Sequence, residues 1–236
     1  MKYHNHIEHY KIDAESYDFF NTDKFLIQED RRRYQAIFNL LEIKEGGSVL
    51  EIGSGGGHAL EYINSSCYYP LDISTHNLKK IRDKSSKIIS PVSGDVYNLP
   101  FESDSFEYII LSEVLEHLDK PENALREIYR VLKSKGSLVI SVPYKEKLTY
   151  QICIHCNQLT PTNSHLHSFD ENKLEDLLKP IGFNIIKSTK CINKISNRLH
   201  VNILLKKLPY RYWRMIDGLF NCIVDNPASL IILCKK

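Results

Sequence analysis

The chain has 236 residues, 42% apolar and 25% charged, proportions that exclude a disordered, collagenous or low-complexity protein and leave ample length for a buried core. Thirty-one Lys and Arg against 29 Asp and Glu give a net charge of +2, so there is no chain-wide basic field of the kind that neutralises nucleic-acid phosphates. Six cysteines are too sparse for a disulfide scaffold.

The opening stretch from Met1 to Ser16 has no apolar run of signal-peptide length. The longest apolar runs elsewhere, Tyr108 to Leu111 and Leu230 to Cys234, are too short to cross a bilayer. The expectation is a cytoplasmic protein without stable membrane insertion. Between Gln28 and Glu42 the residues Tyr34, Ile37, Phe38 and Leu41 recur at helical spacing until Glu45-Gly46-Gly47 ends the pattern. Short apolar runs then alternate with helical patterns. Val49–Ile52 leads into a glycine turn and a helix, and Tyr68–Ile73 leads to Ser74, an N-cap for a helix reaching Ile81. Phe106–Leu111 precedes a helix over Glu122–Leu132, and Leu138–Val142 reads as another strand. Strands separated by helices make βαβ units, hence an α/β protein with a parallel sheet and helices on both faces.

After Pro143 the pattern breaks for some 25 residues, and 143–170 reads as an insertion. Asp170 caps a helix over Glu171–Lys179, Phe183–Ile186 reads as a strand, and Leu230–Cys234 as one more.

The most informative stretch is Val49-Leu50-Glu51-Ile52-Gly53-Ser54-Gly55-Gly56-Gly57-His58. Glycine lets such a turn close tightly and lets a ligand approach the backbone, and nucleotide-like ligands sit beyond the carboxyl ends of parallel strands. Asp72 ends the next strand, nineteen residues after Gly53. There a carboxylate can accept from both ribose hydroxyls of an adenosine; its other reading is a helix cap. Asp95, near the end of the third strand, is placed to accept from an adenine amino group.

Together the segments 49–57 (VLEIGSGGG), 71–74 (LDIS), 94–118 (GDVYNLPFESDSFEYIILSEVLEHL) and 132–144 (LKSKGSLVISVPY) resemble the class I S-adenosylmethionine-dependent methyltransferases, in particular the small-molecule and quinone-biosynthesis group. The resemblance implies a Rossmann-like, seven-stranded, mostly parallel sheet whose last strand is antiparallel, with Leu230–Cys234 as that strand. It implies that Glu51, Gly53, Ser54, Gly55 and Gly57 surround the methionine part of the cofactor. Asp72 and Ile73 would hold the ribose, Asp95 and Val96 would flank the adenine, and Ser112 and Glu113 would line the floor beneath the sulfonium. The chain then reads as a single methyltransferase domain over 1–236: an N-terminal helical cap (1–45), a cofactor-binding core (46–142), the insertion (143–170) and a C-terminal part of the sheet (171–236).

An NAD-dependent oxidoreductase also uses a glycine turn and a ribose-binding acid. Its fingerprint needs glycine or alanine where His58 stands. A non-catalytic binding protein on the same fold is the other alternative. Amino-methylating nucleic-acid enzymes resemble one another in an Asn/Asp-Pro-Pro-aromatic motif after the fourth strand, where this chain has Leu111-Ser112-Glu113-Val114. With the near-neutral charge, this favours a small-molecule or glycan- or lipid-linked acceptor over nucleic acid. The oligomeric state is not legible.

A hydroxyl acceptor calls for a general base, and the candidates are His117 and Glu113 first, with His155, His165, His167 and Tyr144 behind them. The N-terminal run with His4, His6, His9, Tyr10, Tyr17, Phe19 and Phe20 has the composition of either a lid or a packing helix. Arg31-Arg32-Arg33 suits an anionic acceptor or a solvated helix face. Cys153-x-x-Cys156 followed by His165-x-His167 has the residue types of a tetrahedral zinc site; the histidines alone could instead face the acceptor. Lys206 to Ile216 joins basic and aromatic residues, as in a helix lying on an anionic membrane or, alternatively, covering the sheet with a cationic rim in water.

Overall fold

The computed structural model describes residues 6–16, 20, 22–64, 67–153 and 157–236. Its strands, in chain order, are β1 (Val49–Ile52), β2 (Tyr68–Asp72), β3 (Val92–Ser93), β4 (Phe106–Ser112), β5 (Leu132–Pro143), β6 (Tyr150–Ile152), β7 (Leu159–Pro161), β8 (Asn184–Asn193) and β9 (Pro227–Lys235). Its helices are α1 (His6–Ser16), α2 (Lys24–Leu40), α3 (Thr75–Lys84), α4 (Pro121–Val131), α5 (Glu171–Leu178), α6 (Lys194–Arg198), α7 (Val201–Leu204) and α8 (Tyr210–Ile223).

Among the described residues seven strands form one sheet in the order β3-β2-β1-β4-β5-β9-β8. Neighbours from β3 to β5 pair in parallel, whereas β9 is antiparallel to both β5 and β8. The last strand is thus the antiparallel one. It threads between two strands made earlier, and it is buried from Ser229 to Cys234.

Burial on both faces explains the continuous apolar runs. Leu50, Ile52, Ile109, Leu111, Leu138 and Ile140 pack with Leu125 and Ile128 of α4 and Leu174 and Leu178 of α5. Val49, Ile110, Val139 and Ile231 pack on the opposite face with Tyr34 and Ile37 of α2 and Trp213 of α8. Alternation along each strand assigns the two sets. The caps follow the sequence: Ser74 Oγ accepts from the Asn77 amide, and the Asp170 side chain accepts from the Lys173 amide.

Three expectations about elements are corrected. The segment after the glycine turn is a single 3-10 turn, His58–Glu61, entered through the left-handed Gly57. Strand β5 starts at Leu132, ahead of the glycine expected to separate helix from strand, with Lys135 at φ 65° taking the bend beside Gly136. The insertion is not irregular throughout: β6 and β7 pair as an antiparallel hairpin outside the main sheet.

Candidate active site

A cavity of about 250 Å³ opens beyond the carboxyl ends of β1, β2 and β4. The glycine turn makes one wall. Gly53 has φ +72°, and a Cβ there would lie 2.4 Å from Val114 Cγ2, so both the conformation and the space demand glycine. The amides of Gly53 and Ser54 both donate to the Leu71 carbonyl, at 2.8 and 3.1 Å, which folds the turn back over β2.

Asp72 is fixed from two sides: Oδ2 accepts from the Gly55 amide at 2.9 Å and Oδ1 from the Ser74 amide at 2.8 Å. The cap of α3 is Ser74, so Asp72 is not the helix cap. Burial pushes its carboxyl upward from the usual range, and the two amides oppose that shift. Each oxygen retains a lone pair for a further donor. Across the cavity stand Asp95, whose Oδ1 accepts from the Tyr97 amide at 3.1 Å, and Val96. Ile73 completes this half of the wall. Ile52, Asn77 and Leu118 also line the cavity; they carried no sequence signal beyond apolar or helical pattern.

Four expected residues do not reach the cavity wall. Glu51 alternates with Leu50 and Ile52 and so faces α2, where its fully buried carboxylate accepts from Tyr34 Oη at 2.7 Å and from Tyr68 Oη. Burial raises its pKa to about 7 against the pull of those two hydroxyls. Ser54 and Ser112 are buried, each with a hydroxyl lacking a hydrogen-bond partner, and Gly57 is occupied in packing against Ile81.

The other half of the cavity is formed by Tyr10, Glu113, Val114 and His117. Glu113, at φ 54°, directly follows β4. Its Oε1 accepts from Ser141 Oγ at 2.7 Å and lies 3.5 Å from Arg33 Nε, while Arg33 also pairs with Asp30 at 2.6 Å. Burial raises the Glu113 carboxyl, opposed by Arg33 and by Ser141. Burial, then His165, lowers His117 to about 4, so its imidazole is neutral at pH 7. Tyr10 Oη donates to the His117 carbonyl at 3.4 Å, and His9 Nε2 meets Ser164 Oγ at 3.2 Å, bringing α1 against this end of the cavity. Phe20 lies under the ammonium of Lys80 at 5.3 Å. His4, Tyr17, Phe19 and the side chain of His6 lie outside the described residues.

The suggested zinc set does not assemble among the described residues. His167 Nε2 is bonded to the Leu118 carbonyl at 2.7 Å, and His165 Nδ1 to Glu146. Cys156, with His155, lies outside the described residues. His165 instead converges with Glu116 and His117. Tyr144 is in the core under α5 rather than on the cavity.

Within the triple arginine Arg32 turns inward and Arg33 pairs with Asp30 and Glu113. Arg32 is fully buried, donates to the carbonyls of Leu205 (2.6 Å) and Leu208 (3.2 Å), and stacks 4.9 Å from the Trp213 ring. Helix α8 covers the sheet through Trp213 and Asp217, yet its outer face exposes Tyr212, Met215, Leu219 and Ile223 as well as basic side chains. Among the described residues no helix is long and apolar enough to cross a membrane.

Residues 50–140 match the methyltransferase domain family. An uncharacterized protein of Methanocaldococcus jannaschii is 29% identical over 220 residues, 92% of each chain. Demethylmenaquinone methyltransferase of Paenarthrobacter aurescens is 30% identical over 129 residues, 54% of this chain and about half (51%) of that enzyme. The crystal structure of the 1,6-didemethyltoxoflavin-N1-methyltransferase of Burkholderia thailandensis superposes with a TM-score of 0.67 at 16% identity, over 100% of this chain and 91% of that one. The sheet order, the glycine turn and the structural likeness agree on the fold of the S-adenosylmethionine-dependent methyltransferases, and residues 50–140 carry the methyltransferase domain match.

Proposed function

We propose that this chain methylates a small-molecule acceptor, of quinone-like or other phenolic character, with S-adenosylmethionine held over the glycine turn. The observation that carries the cofactor assignment is Asp72. Its carboxylate is fixed by the Gly55 and Ser74 amides at the lip of the cavity, with acceptor capacity left for two ribose hydroxyls. In this reading Gly53 and Gly55 leave room for the methionine portion, Ile73 packs on the ribose, and Asp95 with Val96 takes the adenine.

When bound, S-adenosylmethionine supplies a methyl group on a sulfonium, which leaves by in-line displacement. The protein's work is alignment and exclusion of water. Tyr10, Val114 and Leu118 close the cavity on the acceptor side and give it an apolar surface suited to a planar ring. His117 and Glu113 stand on the acceptor side of the cavity, and Glu113, tied to Ser141 and Arg33, serves to orient. The demethylmenaquinone and hydroquinone methyltransferases among its relatives support a quinone-like or hydroquinone-like acceptor.

Incubation of the protein with labelled S-adenosylmethionine and a cell extract, followed by separation into lipid, small-molecule, glycan and RNA fractions, tests this. Label in the quinone or phenolic fraction is expected. Label confined to RNA or protein would contradict it.

A further inference from the structure

Glu116 is 1% exposed, and neither oxygen of its carboxylate has a hydrogen-bond partner. A buried carboxylate without donors is costly, and such groups are normally paired or bound to a metal. Its surroundings sharpen the case. His117 Nε2 lies 3.9 Å from Glu116 Oε1, and His165 brings a third ligand atom within 4.8 Å of both. Among the described residues no Lys or Arg forms a salt bridge to Glu116, and the charged groups that act on it are Glu113, Arg33 and Glu146.

The two histidines are set up as ligands. His117 Nδ1 is 3.3 Å from the Ser164 carbonyl, and His165 Nδ1 is bonded to the Glu146 carboxylate. An Nδ1 proton directed at an acceptor leaves the lone pair on Nε2, the tautomer and outer-shell support that metal-binding histidines use. The backbone holds the cluster closed, since the amides of Leu166 and His167 both donate to the Glu116 carbonyl, at 2.8 and 3.2 Å.

We propose that Glu116, His117 and His165 bind one divalent first-row transition ion, with Glu146 orienting His165. Two imidazoles and a carboxylate suit Zn²⁺, Mn²⁺ or Fe²⁺ better than Mg²⁺ or Ca²⁺. Three protein ligands leave at least one coordination position for another group. Because His117 also lines the cavity, that position adjoins the acceptor space. The catalytic use of the ion rests on the methyltransferase reading: it lowers the pKa of an acceptor hydroxyl. That proton leaves to water, the oxygen lone pair takes the methyl group, and the carbon–sulfur bonding pair stays on sulfur as the neutral thioether.

The test uses the full chain, stripped with chelator and titrated with Mn²⁺ by electron paramagnetic resonance and with Zn²⁺ against a chromophoric chelator. One equivalent should bind, and Glu116→Gln and His165→Ala should each weaken it by roughly tenfold or more. Cys153→Ser should bind as the parent does. Should Glu116→Gln fail to fold, His165→Ala, on the loop after β7, carries the test, with its fold checked by circular dichroism. Absence of binding, or binding that His165→Ala leaves intact and Cys153→Ser removes, would overturn the proposal. Parallel calorimetry with S-adenosylhomocysteine separates the two claims. Cofactor binding without metal sinks this site alone; metal binding without cofactor supports the site and sinks the methyltransferase reading.

Discussion

The Oδ2 atom of Asp72 accepts a hydrogen bond from the Gly55 amide at 2.9 Å, joining the end of β2 to the middle of the glycine turn. One carboxylate therefore shapes the turn and presents acceptor atoms to the cavity. Asp72→Ala should weaken S-adenosylhomocysteine binding by roughly 1.5–3 kcal/mol, the scale of hydrogen bonds to a charged group. Calorimetric titration of the variant checks this, and an unchanged dissociation constant would reduce Asp72 to a turn-forming residue.

Gly53→Ala should impair both stability and cofactor binding. The added Cβ meets Val114 Cγ2 at 2.4 Å, and the φ of +72° disfavours any L side chain. Strain of about 1–3 kcal/mol is expected. Val114→Ala in the same chain relieves the clash but not the dihedral, so thermal melts of the double variant should show partial recovery. Full recovery would mean the dihedral costs nothing; no recovery would mean the clash is not the cause.

Arg32 should matter to stability rather than to catalysis. Its guanidinium satisfies the carbonyls of Leu205 and Leu208 and covers Trp213. Arg32→Met strips the guanidinium donors from the Leu208 carbonyl and leaves the Leu205 carbonyl with the Leu208 amide alone, at a cost of about 1–3 kcal/mol. Arg32→Lys lacks the planar fork and should recover only part of the loss. Urea unfolding measures both; parental stability in Arg32→Met would contradict the assignment.

Glu51 gives a pH dependence of definite sign. Its folded pKa of about 7 lies above the ordinary 4.5, so the native state binds the proton more tightly than the unfolded chain. Stability from this group is fully present below about pH 4.5 and is lost as pH rises through about 7. The amplitude is on the order of 3 kcal/mol at 1.36 kcal/mol per pKa unit. Glu51→Gln should flatten that decline in denaturant midpoints measured across the range. An equally steep decline in the variant would assign it to another group.

The sheet, the glycine turn and the caps at Ser74 and Asp170 were legible because they rest on local patterns: period two, period 3.6 and turn chemistry. The direction of Glu51 was also within reach, since Leu50 and Ile52 on either side of it pack into the opposite face. Other features depend on long-range return of the chain. Arg32 meets carbonyls 173 and 176 residues away, which no local window reveals. The Cys-x-x-Cys spacing suggested a metal site inside the insertion, but the segment 164–167 folds back on Glu116 instead and carries His165 to His117, 48 residues earlier in the sequence. The hairpin of β6 and β7 was missed because its strands are only three residues each and largely exposed.

The central claim is that the cavity over the glycine turn takes S-adenosylmethionine. Calorimetric titration of the unmodified chain with S-adenosylmethionine, S-adenosylhomocysteine and NAD tests it most directly. The account predicts micromolar, one-to-one binding of both sulfur compounds and no measurable heat with NAD. Tight binding of NAD with no response to either sulfur compound would contradict it.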